Sequence, residues 1–392
     1  MDSNPALCAA IADRITTSPQ QRITFAQFMD MALYHPEYGY YSSDALKIGF
    51  KGGDFFTSPN LCDDFGELLA EQFFQMWEIL GKPIPFSLVE MGAGQGLLAL
   101  HILKYHQLRY PDFFTALEYI IVEKSPTLRQ EQQQRLQDLP VRWCNLEDIP
   151  PNAIVGCFFS NELVDAFPVH QFTLETGELR EIYITTDSNE KETCLSFVEV
   201  TGEPSTLQLA EYLDLLGIDL TQSAYPEGYR SEINLAALDW LSIVADRLQR
   251  GYVLTIDYGY PASRYYNPRR SQGTLQCYYQ HRFHDNPYIN IGQQDITAHV
   301  DFTALERWGE KCNLKNIGFI QQGLFLMALG LGERIAALSY QKQPLSELLQ
   351  RRDALHQLID PTRLGGFGVL IQSKGLNNTE TSQPIKGLTL PK

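Results

Sequence analysis

The sequence predicts an α/β protein built on a mainly parallel sheet, and three observations carry that prediction. The run Leu88-Val89-Glu90-Met91 is followed by Gly92-Ala93-Gly94-Gln95-Gly96 and then by a helix-like pattern from Leu97 to Leu103. That is strand, tight glycine turn and helix, a geometry that brings a nucleotide-like ligand against bare backbone at the carboxyl end of a strand. Next comes Tyr119-Ile120-Ile121-Val122-Glu123, a short β-branched strand ending in an acid, then Lys124-Ser125-Pro126 and a polar helix from Thr127 to Leu136. Pro126 suits the first turn of that helix. The pattern then repeats. Val141 to Cys144 reads as strand three, Gly156 to Ser160 as strand four, and Tyr252 to Asp257 as a further buried strand.

The glycine spacing narrows the ligand. A dinucleotide fingerprint needs G-x-G-x-x-G, and the third glycine would fall at 97, where Leu97 stands. What is present is E-x-G-x-G-x-G, which resembles motif I of the class I S-adenosylmethionine (SAM) methyltransferases. Glu90, Gly92, Ala93, Gly94 and Gly96 are therefore candidate cofactor residues. Glu123, at the tip of the second strand, is placed to accept hydrogen bonds from both ribose hydroxyls, with Lys124 and Ser125 beside it. Asn145 and Leu146, ahead of Glu147-Asp148, lie where such folds enclose an adenine.

Bulk properties exclude several classes. With 392 residues, 44% of them apolar, the chain exceeds the usual single-domain size and holds a substantial core. No apolar run reaches the ~18–20 residues that a membrane helix needs, so no membrane insertion is expected. The first residues, with Asp2, Asp13 and a single Arg14 before Thr24, lack the character of a signal or transit peptide. Seven cysteines without a C-x-x-C pair point to free thiols in a reducing compartment, and a cytoplasmic protein is expected. The formal charge of −16 repels phosphate backbones, so nucleic acid is not an expected partner. A cationic partner such as an arginine-bearing protein segment fits that sign, although a negative surface also serves ordinary solubility. His281 and His284 have H-x-x-H spacing but no acid or cysteine set to complete a metal site, and no metal is expected.

Along the chain, residues 1–85 read as a helical N-terminal cap. Thr24 and Gln27 form a capping box, and Phe25, Phe28, Met29, Ala32 and Leu33 recur at helical spacing. After a break at His35-Pro36 comes a loop, Gly53-Asp54-Phe55-Phe56-Thr57-Ser58-Pro59, with Ser58 placed to cap the next helix. Residues 86–165 form the cofactor-binding half of the core. Residues 166–250 read as an α+β insertion: a hairpin around Glu175-Thr176-Gly177-Glu178, a third antiparallel strand from Cys194 to Val200, and helices from Thr206 to Leu216 and Ser231 to Leu248. Residues 251–373 complete the core and include an irregular, tyrosine-rich loop at 258–297. Residues 374–392 read as a flexible tail.

The candidate chemistry lies at the ends of strands four and five. Asn161-Glu162-Leu163-Val164-Asp165 places an amide and two acids directly after strand four. A guanidinium stays charged and binds carboxylates in bidentate fashion, so Glu162 and Asp165 are placed to clamp one and bias its charge. A capping Asn161 and surface acids are the competing reading. Asp257, in Asp257-Tyr258-Gly259, faces the same cleft or merely forms a turn. His299 with Asp301 is a candidate proton-handling pair, or a structural histidine beside a capping acid.

Together these segments resemble the MidA-like family of SAM-dependent methyltransferases, whose mitochondrial members are arginine methyltransferases needed for assembly of respiratory complex I. The resemblance rests on Ile23-Thr24-Phe25 through Tyr40-Tyr41, Gly53-Asp54-Phe55 with Thr57-Ser58-Pro59, Phe65-Gly66-Glu67-Leu68, Glu90 to Gly96, Asn161-Glu162 with Asp165-Ala166-Phe167-Pro168, Asp257-Tyr258-Gly259, and Asp295 to Phe302. It implies a class I, Rossmann-like fold with a mainly parallel seven-stranded sheet, a helical cap and an insertion between strands four and five. It implies SAM as cofactor, with Gly53, Asp54, Phe55, Thr57, Ser58 and Asn161 near its pocket. It also implies symmetric dimethylation of an arginine on a subunit of an NADH-dehydrogenase-type complex, with homodimerisation left open. A small-molecule methyltransferase and a SAM-binding assembly chaperone without turnover are the alternatives.

Overall fold

The strand that ends in the glycine turn becomes the middle of a sheet. A computed structural model of the chain describes residues 3–42, 58–187, 196–221, 224–280, 282–340 and 344–389. Within them the sheet has seven strands: β1 (Phe86–Met91), β2 (Leu117–Val122), β3 (Val141–Cys144), β4 (Ile154–Asn161), β5 (Leu248–Asp257), β6 (Lys315–Gln321) and β7 (Gly368–Lys374). They lie side by side in the order β6-β7-β5-β4-β1-β2-β3. β7 runs antiparallel to both neighbours, and every other pairing is parallel. Parallel strands need crossover connections that cover the sheet, so central strands read as continuous apolar runs. β1 is accordingly buried at all six positions.

The strand order reverses between β1 and β4: the chain leaves β1 toward β2 and β3, then returns to lay β4 on the other side. In open α/β sheets a ligand crevice forms at the carboxyl edge of such a switch point. The helix α1 (Asp64–Ile79) carries the expected apolar stripe into this core, with Phe73 packed against Phe159 of β4 at a ring-centroid distance of 4.8 Å. Its first residue, Asp64, is buried. Burial raises its carboxyl pKa, but hydrogen bonds from Arg351 and Arg334 prevail and hold it below the ordinary range.

The chain divides into two compact units. The core unit, Phe56–Leu163, Leu241–Tyr258 and Gly309–Lys392, contains the seven-stranded sheet. The accessory unit comprises Met1–Phe55, Val164–Trp240 and Gly259–Trp308. In it Glu178–Thr186 pairs antiparallel with His170–Glu175, Phe197–Gly202 and Ile23–Thr24, and Arg230–Ile233 joins His170–Glu175. The hairpin strands lie at His170–Glu175 and Glu178–Thr186; the third strand, expected from Cys194 to Val200, runs Phe197–Gly202, and Cys194 lies outside the described residues. The capping box at Thr24 is present, and the helix it opens, Phe25–Tyr34, buries Phe25, Phe28, Met29, Ala32 and Leu33.

Several boundaries differ from expectation, each for a local reason. The 1–85 segment is not one cap. Pro5–Thr17 and Phe25–Tyr34 pack with Ile184, Phe197 and Ile296 in the accessory unit, whereas α1 packs on the sheet. The helix expected from Ser231 begins at Leu235, because Arg230–Ile233 joins the sheet edge and the Asn234 side chain caps the helix by accepting from Ala237 N–H at 2.9 Å. The tyrosine-rich 258–297 region contains short strands, Gln276–Tyr279 between Arg282–His284 and Asp295–Thr297. The expected loose tail is anchored through residue 389: Glu380 is buried and paired with Arg250 at 2.6 Å, and the Gln72 side chain accepts from Gly387 N–H at 2.9 Å.

Candidate active site

The carboxyl edge of the core sheet gathers most of the expected residues that lie within the described range. After β1 the chain turns through Gly92, Gly94 and Gly96, all with positive φ (69°, 51° and 76°). This left-handed region is costly for residues with a Cβ, and glycine enters it freely. At Gly92 a Cβ would come 2.7 Å from Leu163 Cδ1, so the turn also demands glycine for space. The helix α2 (Leu97–Arg109) then starts at Gly96, which offers no side-chain cap. Its first-turn N–H groups are left as donors that suit a negatively charged ligand group.

Glu123 follows the last residue of β2, Val122, which accepts from Gly92 N–H at 3.0 Å. Its two carboxylate oxygens accept from Ser125 N–H (2.9 Å) and Gln132 Nε2 (3.0 Å). An ionised carboxylate has about four acceptor positions, so two remain for a diol. Ser125 also caps helix α3 (Pro126–Arg135) by accepting from Leu128 N–H. Lys124 is exposed. Gln132, absent from the sequence-based list, bridges the halves of this cradle: its amide N–H also donates to Gly94 O at 2.7 Å, and its oxygen accepts from Trp143 Nε1 at 3.0 Å. Its only sequence signal is a glutamine nine residues after a strand-end acid, which periodicity does not single out. Glu90 is buried beneath the turn, accepting from Tyr119 Oη at 2.7 Å, and burial pushes its pKa up to about 7. Leu146 is buried, while Asn145 is exposed, forming a reciprocal cap with Asp148.

The second cluster lies one strand over, where Ser160 of β4 pairs with Met91 of β1. Glu162 adopts φ +53°, a left-handed conformation in a residue that carries a long side chain. Its N–H donates to Ile256 O at 3.0 Å. Strain of this kind costs on the order of 1 kcal/mol or more and persists where surrounding structure over-determines it. The Glu162 carboxylate accepts from Asn161 Nδ2 (3.0 Å) and Ser58 N–H (3.4 Å). Burial raises its pKa to about 8, with Asp257 pushing the same way and the two hydrogen bonds opposing. Asp257 is fully buried, and its carboxylate accepts from Leu163 N–H (3.2 Å) and Tyr258 N–H (2.7 Å). Asp257 thus fastens the ends of β4 and β5, a positioning role between the two readings the sequence left open. Ser58, also buried, accepts from Gln322 Nε2 at 3.2 Å. Gln322 opens helix α4 (Gln322–Leu329), and its amide oxygen is buried without a partner. Gln322, too, was not anticipated.

Other expected site residues lie apart from this edge. Asp165 and His299 belong to the accessory unit, so the Glu162–Asp165 clamp is not assembled within one unit. The Asp165 carbonyl accepts from Ala298 N–H at 2.9 Å. His299 does not titrate near neutrality: burial, with Arg270 and Arg264 nearby, lowers its pKa to about 3. Kept neutral at pH 7, His299 could enter the expected His299–Asp301 pair as a proton acceptor and not as a charged proton donor. Gly53, Asp54, Phe55 and Thr57 lie outside the described residues. A separate cavity of about 380 Å³ in the core unit is lined by Cys62, Asp63, Glu67, Glu347 and Arg351, and contains none of the residues above.

Among the described residues no cluster of histidine, cysteine, aspartate or glutamate is placed to hold a metal ion, and no single helix is long and apolar enough to cross a membrane. The glycine turn, the Glu123 carboxylate and the uncapped α2 terminus fit a cofactor with a ribose and an anionic group. Comparison with known proteins identifies it. Residues 68–320 match the family described as "Putative S-adenosyl-L-methionine-dependent methyltransferase". Over its length the chain is similar to the mitochondrial protein arginine methyltransferase NDUFAF7 homolog of Drosophila melanogaster, at 29% identity with 90% of this chain and 80% of that protein covered. It is also similar to the human mitochondrial protein arginine methyltransferase NDUFAF7, at 27% identity with 88% and 78% covered. A crystal structure from Burkholderia thailandensis, described as a "likely methyl transferase" bound to S-adenosyl-homocysteine, superposes with a TM-score of 0.82 at 31% identity, covering 97% of this chain and 95% of that one. The curated relatives are mitochondrial by name, and the expected cytoplasmic location is withdrawn on that finding. Cysteine usage reports a reducing environment and does not separate compartments that share it. The family match, the superposition and the cradle at the switch point agree: this chain belongs to the MidA-like family of SAM-dependent methyltransferases and is an enzyme that uses SAM.

Proposed function

We propose that this enzyme transfers the methyl group of SAM to an arginine side chain of a protein. The observation that carries the reading is Glu162, a strained carboxylate at the switch-point edge, held by Asn161 and Ser58 and raised to a pKa of about 8. The names of the relatives support it. SAM, when bound, supplies an electrophilic methyl on a sulfonium. With the glycine turn and Glu123 holding it, a guanidinium nitrogen would take that methyl, the sulfur would keep the electrons of the broken carbon–sulfur bond, and the surplus proton on nitrogen would pass to the anionic Glu162 carboxylate.

The chain's contribution is alignment and charge. A guanidinium remains protonated up to a pKa above ~12, and its approach returns Glu162 to the anionic form. The carboxylate then fixes one nitrogen pair and turns another nitrogen toward the methyl. Asp257 holds the backbone beside it, and Gln132 and Glu123 hold the cofactor side. Asn161, pinned to Glu162, stands between the two.

The family resemblance extends the proposal to symmetric dimethylation on a subunit of an NADH-dehydrogenase-type respiratory complex, in aid of its assembly. The test is to incubate lysate of a deletion strain with the enzyme and methyl-labelled SAM, then map the labelled peptides. Label on arginine, absent with Glu162→Gln, is the expected result. Label confined to the small-molecule fraction would overturn the protein acceptor, and binding of SAM with no labelled product would favour the assembly chaperone.

A further inference from the structure

The chain has 31 basic side chains against 47 acidic ones, so two arginines gathered at one ring without an acid between them are an unusual concentration of positive charge. Two such arginines meet at one ring in the accessory unit. Arg264 Cζ lies 4.1 Å from the centroid of the Tyr260 ring, and Arg270 Cζ lies 4.5 Å from the same centroid. Among the described residues neither guanidinium is in an ion pair. Arg264 is exposed; Arg270 is half-buried, and its Nε is enclosed without a hydrogen-bond partner. A guanidinium stacked on an aromatic face is attracted to the ring's negative face, but the ring leaves its charge intact.

Two neighbours register the positive field. The buried His299 ring lies 4.8 Å from Tyr260, and after burial the next cause of its low pKa is Arg270. Tyr229 is fully buried with an unpartnered hydroxyl; burial pushes its pKa up while Arg270 pulls it down. The acids close by are committed elsewhere. Asp301 opposes Tyr260 across a parallel pairing, yet its carboxyl accepts from Ala304 N–H (3.2 Å) and Tyr212 Oη (3.4 Å). Glu232 accepts from Thr274 N–H (2.9 Å), Thr274 Oγ1 (3.0 Å) and Tyr265 Oη (3.3 Å). The site therefore holds two forked donors and a neutral histidine around one ring, with no ion-paired acid among the described residues.

We propose that Arg264 and Arg270, held against Tyr260, form a carboxylate-binding subsite that receives an acidic side chain of the substrate protein. The identity of the ligand as a protein rests on the function proposed above; the subsite itself rests on the charge arrangement. Guanidinium forks match a carboxylate in bidentate fashion. The overall negative charge of the chain weighs against a nucleic-acid ligand.

The full chain is titrated, with fluorescence anisotropy, against two labelled peptides that share a central arginine. One carries flanking glutamates and the other flanking glutamines. The glutamate peptide is expected to bind about tenfold tighter, with an advantage that shrinks as salt rises. Arg264→Gln/Arg270→Gln is expected to abolish the preference while SAM affinity and melting temperature stay at wild-type values. Arg264→Gln alone, at an exposed position, is expected to remove part of it and guards against misfolding of the double variant. Equal affinity for the two peptides, a preference that survives the double substitution, or tighter binding of a single-stranded RNA of the same charge would overturn the subsite. Arginine-dependent binding without methyl transfer would overturn the proposed acceptor and leave the subsite standing.

Discussion

The proposed cofactor side and the proposed acceptor side of the switch-point edge are both built from the core unit, but they are assembled differently. Gly92, Gly94, Gly96, Glu123 and Gln132 come from one continuous stretch in which strand, turn, helix and strand follow each other. Glu162, Asp257, Ser58 and Gln322 come from four stretches spread from residue 58 to residue 322, joined by hydrogen bonds between side chains and backbone. The cofactor side relies on backbone shape, which glycine dihedrals set locally. The acceptor side relies on a buried carboxyl group with a raised pKa, a state that only the finished fold can impose. Substitutions should therefore fail in different ways on the two sides.

The largest expected effect is Gly94→Val. A β-branched residue is strongly disfavoured at φ +51° and also crowds the ligand's approach. SAM binding should vanish in calorimetry while circular dichroism stays native. Unchanged affinity would remove the glycine turn from the cofactor site. Next is Glu162→Gln, which keeps shape but loses charge; single-turnover methylation should fall by about 10²–10³ with SAM affinity nearly unaltered. Turnover near that of the wild type would strike Glu162 from the site. Glu123→Ala should weaken SAM binding by roughly 1.5–3 kcal/mol, the worth of hydrogen bonds to a charged group, with little change in the rate at saturation.

A subtler contrast concerns pH. The Glu162 pKa rises from an ordinary 4.5 to about 8 on folding. Between those values the folded state holds a proton that the unfolded chain has released, so this group's contribution to stability falls as pH rises from about 4.5 to 8. Wild-type melting temperature should decline across that window more steeply than that of Glu162→Gln, and at pH 8 the variant should melt at least as high. The same substitution would then raise stability and destroy turnover. Parallel melting curves would show that Glu162 is not strained by its burial. The smallest effect is expected for Gln322→Ala. It removes the Nε2–Ser58 Oγ hydrogen bond, worth about 0.5–1.5 kcal/mol, and should lower the methylation rate a few-fold without touching SAM affinity. A loss of SAM affinity instead would place Gln322 on the cofactor side.

This contrast also explains what could be read in advance. The E-x-G-x-G-x-G turn and Glu123 are legible because strand, turn and acid are local events whose residue types follow from dihedrals and ligand chemistry. The core strands were equally clear, since apolar runs between helices leave few alternatives. Asn161 and Glu162 could be put forward as candidates because they stand at the end of a strand. Gln132 and Gln322 were missed: a glutamine on a helix is ordinary, and its partners Gly94, Trp143 and Ser58 lie far off in sequence. The protonation state of His299 was not legible, because its ordinary pKa is near neutral and only burial reveals the shift. The final segment misled because its polar composition hides two anchors, Glu380 and Gly387, that act through Arg250 and Gln72.

The interleaving of the two units has a consequence for how the chain is made. Each unit is composed of three separate stretches, and neither is complete when the other begins. During vectorial synthesis β4 emerges before the accessory stretch 164–240, yet its neighbour β5 follows only after that stretch. β7, antiparallel to both its neighbours in the core sheet, must then enter between β5 and β6, both already synthesised. Pairings of such long sequence separation form slowly and leave strand edges open meanwhile. The nascent chain thus carries an exposed β5 edge for more than a hundred residues of translation, from Asp257 to Gly368. Shielding of that edge, by the ribosome-bound environment or a holding chaperone, is a requirement written into the strand order itself.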